Sequence, residues 1–400
     1  MHHSTVKSFR LATPTDTDGF FFDLGSFYEQ AELVADPRDP RGKRYALALL
    51  LSLLVLAKLC GEDTPTGIAD WVHWRCARLV QAFQLARATM PSHNTFRRML
   101  QLSELVSAVP GLLQRMLTAQ PQAGLSQLIA VDGKTLRGTI MAAATQGVHL
   151  LAAYLPGEGL VLMQVLVENK ENEIPAAPRL LKSLDLRGKI VMGDAMHTQR
   201  EVSVQILSAG GEYIWYAKDN QPKLHQDIAQ LFTAEVTGKG SGPVPTDFRT
   251  ASQTDCGHGR IEKRMLTASS LLRGYLEWPG VEQVFKLERV ITDLRRKPLR
   301  AEIVYGLTSL TPSEASPLRL IELTRRYWGI ENGLHYRRDV TLHEDATRMS
   351  NASQAQVMAS LNNFVIGLVL QHGFTNLAAA RRYYAAHVNA AFKLLTRQPV

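Results

Sequence analysis

Cysteine is scarce: Cys60, Cys76 and Cys256 are the three in 400 residues, and no two stand in C-x-x-C spacing. Neither a disulfide framework nor a cysteine-built zinc site is indicated, and a reducing cytoplasm suits the chain. Long hydrophobic runs are missing too. The most apolar stretch, residues 46–57, falls short of the roughly 20 residues a spanning helix needs and reads as a buried helix. The N-terminus has no charged segment leading into an apolar one, so no signal peptide is read. With no membrane segment, the chain is expected in the cytoplasm. No internal repeat or low-complexity tract breaks the sequence.

Hydrophobic residues make up 45% of the chain and the mean hydropathy is −0.10, enough for a packed core and too much for a disordered chain. At 400 residues, two or three domains are expected. The formal charge is +8 and the pI about 9.4, a balance that fits a polyanionic partner such as nucleic acid.

Residues 1–20 are polar and aperiodic and read as a flexible arm. A basic turn at 36–44 leads into the apolar helix from 45, and helices are expected at 67–74 and 75–86. Pro91-Ser92-His93-Asn94-Thr95-Phe96-Arg97-Arg98 has the form of a helix start, with Ser92 or Asn94 placed to accept from free N–H groups. Arg97 and Arg98 then fall in the first turns as candidate phosphate contacts; a solvated basic face on a structural helix is the competing reading. These segments define a helical N-terminal domain at 21–122, expected to bind DNA and to end near Pro121-Gln122-Ala123-Gly124. From 126 the texture changes. Strands are predicted at 128–131, 148–154, 160–167, 190–193 and 213–217, with helices at 174–184 and 199–209. A helix at 223–232 and a glycine-rich loop at 238–243 follow. Strand-like runs at 261–267, 284–291 and 303–307 form a β-rich insertion at about 235–312. Helices at 316–340, 352–371 and 377–395 close the chain. The expected class is α/β, a mixed sheet flanked by helices, filling 123–400.

The apolar run 128–131 ends in Asp132, and Gly133 is expected to turn the backbone away there. Lys134 and Arg137 follow, placed to hold a phosphate. The pattern recurs at 189–197, where Asp194 ends a second apolar run. If the first and fourth strands lie side by side, both carboxylates converge where open α/β sheets place ligands. Singly, each aspartate could cap a loop; the pair calls for one explanation. A third acid, Glu331, sits beside the apolar stripe of Ile330 and Leu334, with His335 one turn later on the same face. A metal or a neighbouring arginine could partner it, and Glu344 is a rival for the third position. Three carboxylates suit two hard cations with oxygen ligands. Two Mg²⁺ about 3.5–4 Å apart serve phosphoryl transfer. His197 and His335 either orient a phosphate or water, or are packed histidines. His258, Arg260 and Arg264 share a strand face, which is either a hairpin gripping nucleic acid or an exposed face of cross-strand pairs. Trp328 is expected in the core beneath the helix.

Taken together, Val131-Asp132-Gly133-Lys134-Thr135-Leu136-Arg137-Gly138, Asn172-Glu173-Ile174, Gly193-Asp194-Ala195-Met196-His197-Thr198-Gln199, His258-Gly259-Arg260-Ile261-Glu262-Lys263-Arg264, Trp328-Gly329-Ile330-Glu331-Asn332-Gly333-Leu334-His335, Asp339-Val340 and Glu344-Asp345-Ala346-Thr347-Arg348 resemble the DDE transposases of bacterial insertion sequences, in particular the H-repeat-associated family linked to Rhs elements. The motifs run in the family's order over most of the chain. The resemblance implies an RNase H-like core with a β-strand insertion before the catalytic helix. It implies Asp132, Asp194 and Glu331 as the triad holding two Mg²⁺, with Mn²⁺ able to substitute. The implied partner is double-stranded DNA, both element ends and target, bound by a homodimer near the nucleoid. Related families often carry an arginine four residues before the glutamate and a lysine seven after; Tyr327 and Arg338 stand there, leaving Arg338 a candidate DNA contact. Two other readings stay open: a nuclease of the same fold that cuts without joining, and a domesticated DNA-binding protein without catalysis.

Overall fold

The structure, a computed structural model, describes residues 20–22, 27–119, 127–140, 146–168, 172–233, 247–257, 259–349 and 351–395. The expected arm (apart from Phe20), the boundary at 121–124, the loop at 238–243 and His258 lie outside the described residues. A short strand β1 (Phe20–Phe22) pairs antiparallel with β2 (Leu117–Ala119). Between them run α1 (Phe27–Glu32), α2 (Leu47–Leu59), α3 (Pro65–Trp74), α4 (Cys76–Ala82), α5 (His93–Leu100) and α6 (Leu105–Met116). The chain continues through β3 (Gln127–Leu136), β4 (Val148–Leu155), β5 (Leu160–Val167), α7 (Glu173–Lys182), β6 (Lys189–Gly193), α8 (Arg200–Ser208), β7 (Glu212–Ala217) and α9 (Pro222–Thr233). Next come β8 (Arg249–Gly257), β9 (Arg260–Ser269), β10 (Gln283–Asp293), β11 (Pro298–Thr308), α10 (Pro317–Tyr327), α11 (Ala352–Gln371), α12 (Leu377–Ala386) and α13 (Val388–Leu395).

The long strands form one nine-stranded sheet in the order β5-β4-β3-β6-β7-β11-β10-β9-β8. As expected, β3 and β6 lie side by side and parallel, as do β6 and β7, while every other neighbouring pair is antiparallel. The central strands Ile190-Val191-Met192 and Tyr213-Ile214-Trp215 are buried on both faces, which is why they read as unbroken apolar runs. The β-rich insertion is not a separate sheet: β11 pairs with β7 and carries the sheet onward through four strands, of which β8 gave no apolar signal because its residues are mostly exposed.

All thirteen residues of α2 are buried. This helix packs on α1 and α3 and against α11, α12 and α13, while α11 also covers β4 and β5. The N-terminal helices therefore share their apolar core with the C-terminal ones. Phe27 of α1 stacks on Phe364 of α11 at 5.2 Å. Inside this core Lys58 meets Asp63 at 3.5 Å and Arg381 meets the same carboxylate at 2.8 Å, so the buried cations share a counter-charge.

Local details depart from expectation. The 75–86 helix ends at Ala82, and Gln84 takes a left-handed conformation with φ 50°. The hydroxyl of Ser92 engages the hydroxyl of Thr95 and caps no backbone N–H. Arg97 and Arg98 fall in the last turn of α5, not the first, and are exposed. There they suit the negative end of the helix dipole. The 377–395 helix breaks at His387 into α12 and α13. The long helix expected at 316–340 stops as an α-helix at Tyr327 and continues in wider turns at Ile330–His335 and Arg337–Thr341.

Candidate active site

The parallel ladder between β3 and β6 ends at the pair Val131 and Gly193. The next residues are Asp132 and Asp194, so both carboxylates stand where the two strands part. Asp132 does not end its strand, however. β3 runs on to Leu136 and stays paired with β4, with Gly133 opposite Leu151. Gly133 therefore turns nothing. A Cβ on it would lie 2.1 Å from Glu173 Oε1 and 2.6 Å from His149 Nε2. Glycine is needed for close approach, not for a bend.

What approaches is a buried carboxylate clip. One oxygen of Glu173, in the first turn of α7, meets Nε2 of His149 on β4 at 2.9 Å. The other meets Nε2 of His197 at 3.1 Å, in the short turn directly after Asp194. His149 Nδ1 in turn meets Thr135 Oγ1 at 2.7 Å. Glu173 thus ties β4, and through it β3, to the turn carrying Asp194, just where the backbone ladder has run out. Burial opposes its charge, but the hydrogen bonds from His149 and His197 outweigh that and hold its pKa at about 2, against 4.5 for a free glutamate. The folded-state value lies below the unfolded one, so the stabilisation is complete above about pH 4.5 and fades as pH falls toward 2. Its size is about 3 kcal/mol. Acid titration of unfolding free energy should show this slope in the wild type and a shallower one in Glu173→Gln; equal slopes would exclude the clip.

The third acid arrives on the widened turn. The Tyr336 amide bonds the Glu331 carbonyl five residues back, one residue more than in an α-helix. The Glu331 side chain is exposed and makes no ion pair or hydrogen bond among the described residues. Ligand atoms of Asp132, Glu331 and His335 all lie within 4.8 Å of one another. His335 Nε2 is 3.2 Å from Asp132 Oδ2. Asp194 accepts from the Met196 amide at 2.9 Å through Oδ1 and faces the same cavity, of about 310 Å³, as Asp132, Glu331, Lys218, Tyr327 and Trp328. Burial, then the nearby charges of Asp132 and Asp194, push the Tyr327 phenol up, so it stays neutral. The fit to a divalent cation is good: carboxylate oxygens and one imidazole converge on one point with Glu331 uncommitted.

Several expected roles change. Lys134 is buried and ion-paired with Asp339 at 2.6 Å and Asp345 at 3.7 Å, so its charge is already neutralised. Arg137, 80% exposed, lies 3.9 Å from Asp345 and remains open to solvent. His197 is buried in the clip. Arg338 is fully buried, its Nε 2.7 Å from Glu344 Oε2, while Asn362 donates to Oε1 at 2.7 Å. With both oxygens engaged in the core, Glu344 is not free to serve as a ligand, whereas Glu331 lines the cavity. Arg260 is exposed, but Arg264 pairs with Asp255 and with Glu262, which Arg289 also binds. That strand face carries cross-strand pairs. Trp328 is 52% exposed and lines the cavity instead of sitting in the core. Lys218 was missed. It follows the third apolar strand as the two aspartates follow theirs, is exposed, and pairs with no acid among the described residues.

A family described as Transposase DDE domain matches residues 123–368, and one described as DDE_Tnp_1-associated matches 29–107. YncI of Escherichia coli O157:H7, named as a transposase, is 26% identical over 86% of this chain and 87% of its own. YhhI of Escherichia coli (strain K12), named as an H repeat-associated transposase, is 24% identical over 87% and 91%. A solved piggyBac transposase synaptic complex with hairpin DNA aligns with TM-score 0.42 at 11% identity, covering 93% of this chain and 77% of that one. Two aspartates where β3 and β6 part, a glutamate on the widened turn after α10 and the domain match over more than half the chain converge: the chain belongs to the DDE transposase family of insertion sequences, with H-repeat-associated transposases among its relatives.

Proposed function

We propose that the chain cuts DNA at the ends of its element and joins the freed 3′ ends to target DNA, with Asp132, Asp194 and Glu331 holding two Mg²⁺ and Mn²⁺ able to substitute. The observation that carries this is the convergence of Asp132, Glu331 and His335 within 4.8 Å in the cavity that Asp194 also lines. The strand order β5-β4-β3-β6-β7, with its first three strands antiparallel and the rest parallel, supports an RNase H-like core extended by the insertion. Bound divalent ions would lower the pKa of a water and shield charge on the phosphate. The protein does the rest. His335 orients Asp132. Tyr327 stays neutral against the two aspartates and narrows the site. Lys218 offers a cation to a phosphate. Arg137 and Arg260 have exposed charges to hold the backbone, and the helices within 21–122, including Arg97 and Arg98, are assigned to the terminal repeats. Hydrolysis breaks a P–O3′ bond and leaves a 3′-hydroxyl and a 5′-phosphate. That hydroxyl then exchanges into a target phosphodiester without a covalent protein intermediate. Two ends call for two copies, a homodimer on DNA acting in the nucleoid. No described helix is long and apolar enough to cross a membrane.

The test is incubation with Mg²⁺ and labelled DNA carrying the repeats that flank the gene. Cutting at the repeat boundary followed by joining to a second duplex is expected. Cutting without joining would replace this reading with a nuclease, and binding without cutting would leave a DNA-binding relic.

A further inference from the structure

Two strands of the cavity wall, β10 and β11, contribute Leu287, Arg289, Glu302 and Val304 to its lining. They run on as an antiparallel ribbon, in register from Leu287–Val304 to Ile291–Arg300, with a one-residue shift before Thr292–Pro298 at the turn. Their tip is Asp293-Leu294-Arg295-Arg296-Lys297-Pro298-Leu299-Arg300, exposed from Leu294 onward. The turn is built rather than loose. Asp293 Oδ1 accepts from the amides of Arg295 and Lys297, both at 2.8 Å. The Asp293 amide donates to Lys297 O at 3.0 Å, and Arg296 takes a left-handed conformation at φ 64°. Asp293 Oδ1 is thus committed to the backbone, and Arg295, Arg296 and Lys297 make no ion pair among the described residues. Elsewhere in this sheet arginines do find acids: Arg264 pairs with Asp255, and Arg300 with Glu302. Leu294 and Leu299, 66% and 60% exposed, stand among the free cations.

We infer that this hairpin tip is a duplex-DNA clamp, gripping the backbone and groove at a fixed distance from the cut. It rests on the reading of the cavity as the transposase active site. A ribbon with three cations unpaired among the described residues matches a polyanion, and a two-stranded ribbon fits the major groove of B-DNA, where thymine methyls offer apolar contact to the two leucines. The distance follows from the strand. Seven residues separate Leu287 at the cavity from Leu294 at the tip, about 23 Å at 3.3 Å per residue. That is about seven base pairs at 3.4 Å each. The β10–β11 tip thus presents a gripping hairpin whose Arg295, Arg296 and Lys297 make no ion pair among the described residues.

The experiment uses the full chain and a duplex of about 30 base pairs centred on the element boundary, with Ca²⁺ replacing Mg²⁺ for binding. The variant is Arg295→Ala/Arg296→Asn/Lys297→Ala, with asparagine chosen because it tolerates the left-handed backbone. Removing three phosphate contacts should flatten the slope of log affinity against log salt by about 3. It should also erase a hydroxyl-radical footprint about seven base pairs from the cut. The charge-preserving Arg295→Lys/Lys297→Arg should keep both, which separates charge from turn geometry. An unchanged slope and footprint in the triple variant, with wild type cutting normally, would overturn the clamp and leave the transposase reading intact. A wild type that never cuts, yet shows the footprint and loses it in the variant, would sustain the clamp while the catalytic reading fails.

Discussion

Asp132→Asn should reduce cleavage and joining by at least about 10³-fold, roughly 4 kcal/mol of transition-state stabilisation, while binding and unfolding free energy stay near wild type. Asp132 faces the cavity, and its backbone is held by β4 whatever the side chain is. Removing the charge subtracts a ligand and leaves the ladder intact. The chemically identical change Glu344→Gln should do the reverse. Glu344 is buried between Arg338 and Asn362, and losing its charge strands a guanidinium in the core. Breaking a buried pair in this way destabilises by about 3–5 kcal/mol. Single-turnover cleavage and urea unfolding on both variants decide the matter. Normal cutting by Asp132→Asn would remove it from the site. Wild-type stability in Glu344→Gln would remove the buried pair.

Gly133→Ala should be nearly as damaging for a different reason. The added methyl would sit 2.1 Å from the Glu173 carboxylate and 2.6 Å from His149, and neither group is the loose end of a surface chain. To make room, Glu173 must give up hydrogen bonds to His149 and to His197, the second of which is buried and has no solvent to turn to. Overpacking and the lost charged hydrogen bonds together amount to about 3 kcal/mol. Cleavage should fall about 10- to 100-fold, the usual consequence of disturbing groups that orient metal ligands, because the clip spaces Asp132 from Asp194. Gly157→Ala, where a Cβ meets nothing within 4 Å, serves as the control. Direct Mn²⁺ titration gives a readout apart from turnover. Weakened Mn²⁺ binding in Gly133→Ala and unchanged binding in Gly157→Ala is the expected pair. Equal stability in both would mean that Gly133 does not abut the clip.

The elements that were easiest to read share one property. The strand at 160–167 and the helix at 352–371 were bounded as they occur, and the central strands were placed within one residue, since apolar runs with sharp polar ends depend only on near neighbours. The long helix over 316–340 misled because its apolar spacing persists past Tyr327. The wider turns that follow keep Ile330 and Leu334 buried while swinging Glu331 to the cavity. β8 was missed because one face of an edge strand can be wholly polar.

Composition, period and motif order determined the class of fold and the family and singled out the acids proposed for the site, since each depends on residue type and local spacing. Only the tertiary structure decided which charges are available. Lys134 meets Asp339, Arg338 meets Glu344, and Glu173 joins two histidines from different elements. Lys134 and Asp339 lie 205 residues apart in the chain, and no local pattern encodes that a cation so placed will be neutralised. Arg295, Arg296 and Lys297 resemble it in sequence and differ in pairing with no acid among the described residues. Burial and partnership, which set whether a charge can meet DNA, are properties of the packed sheet.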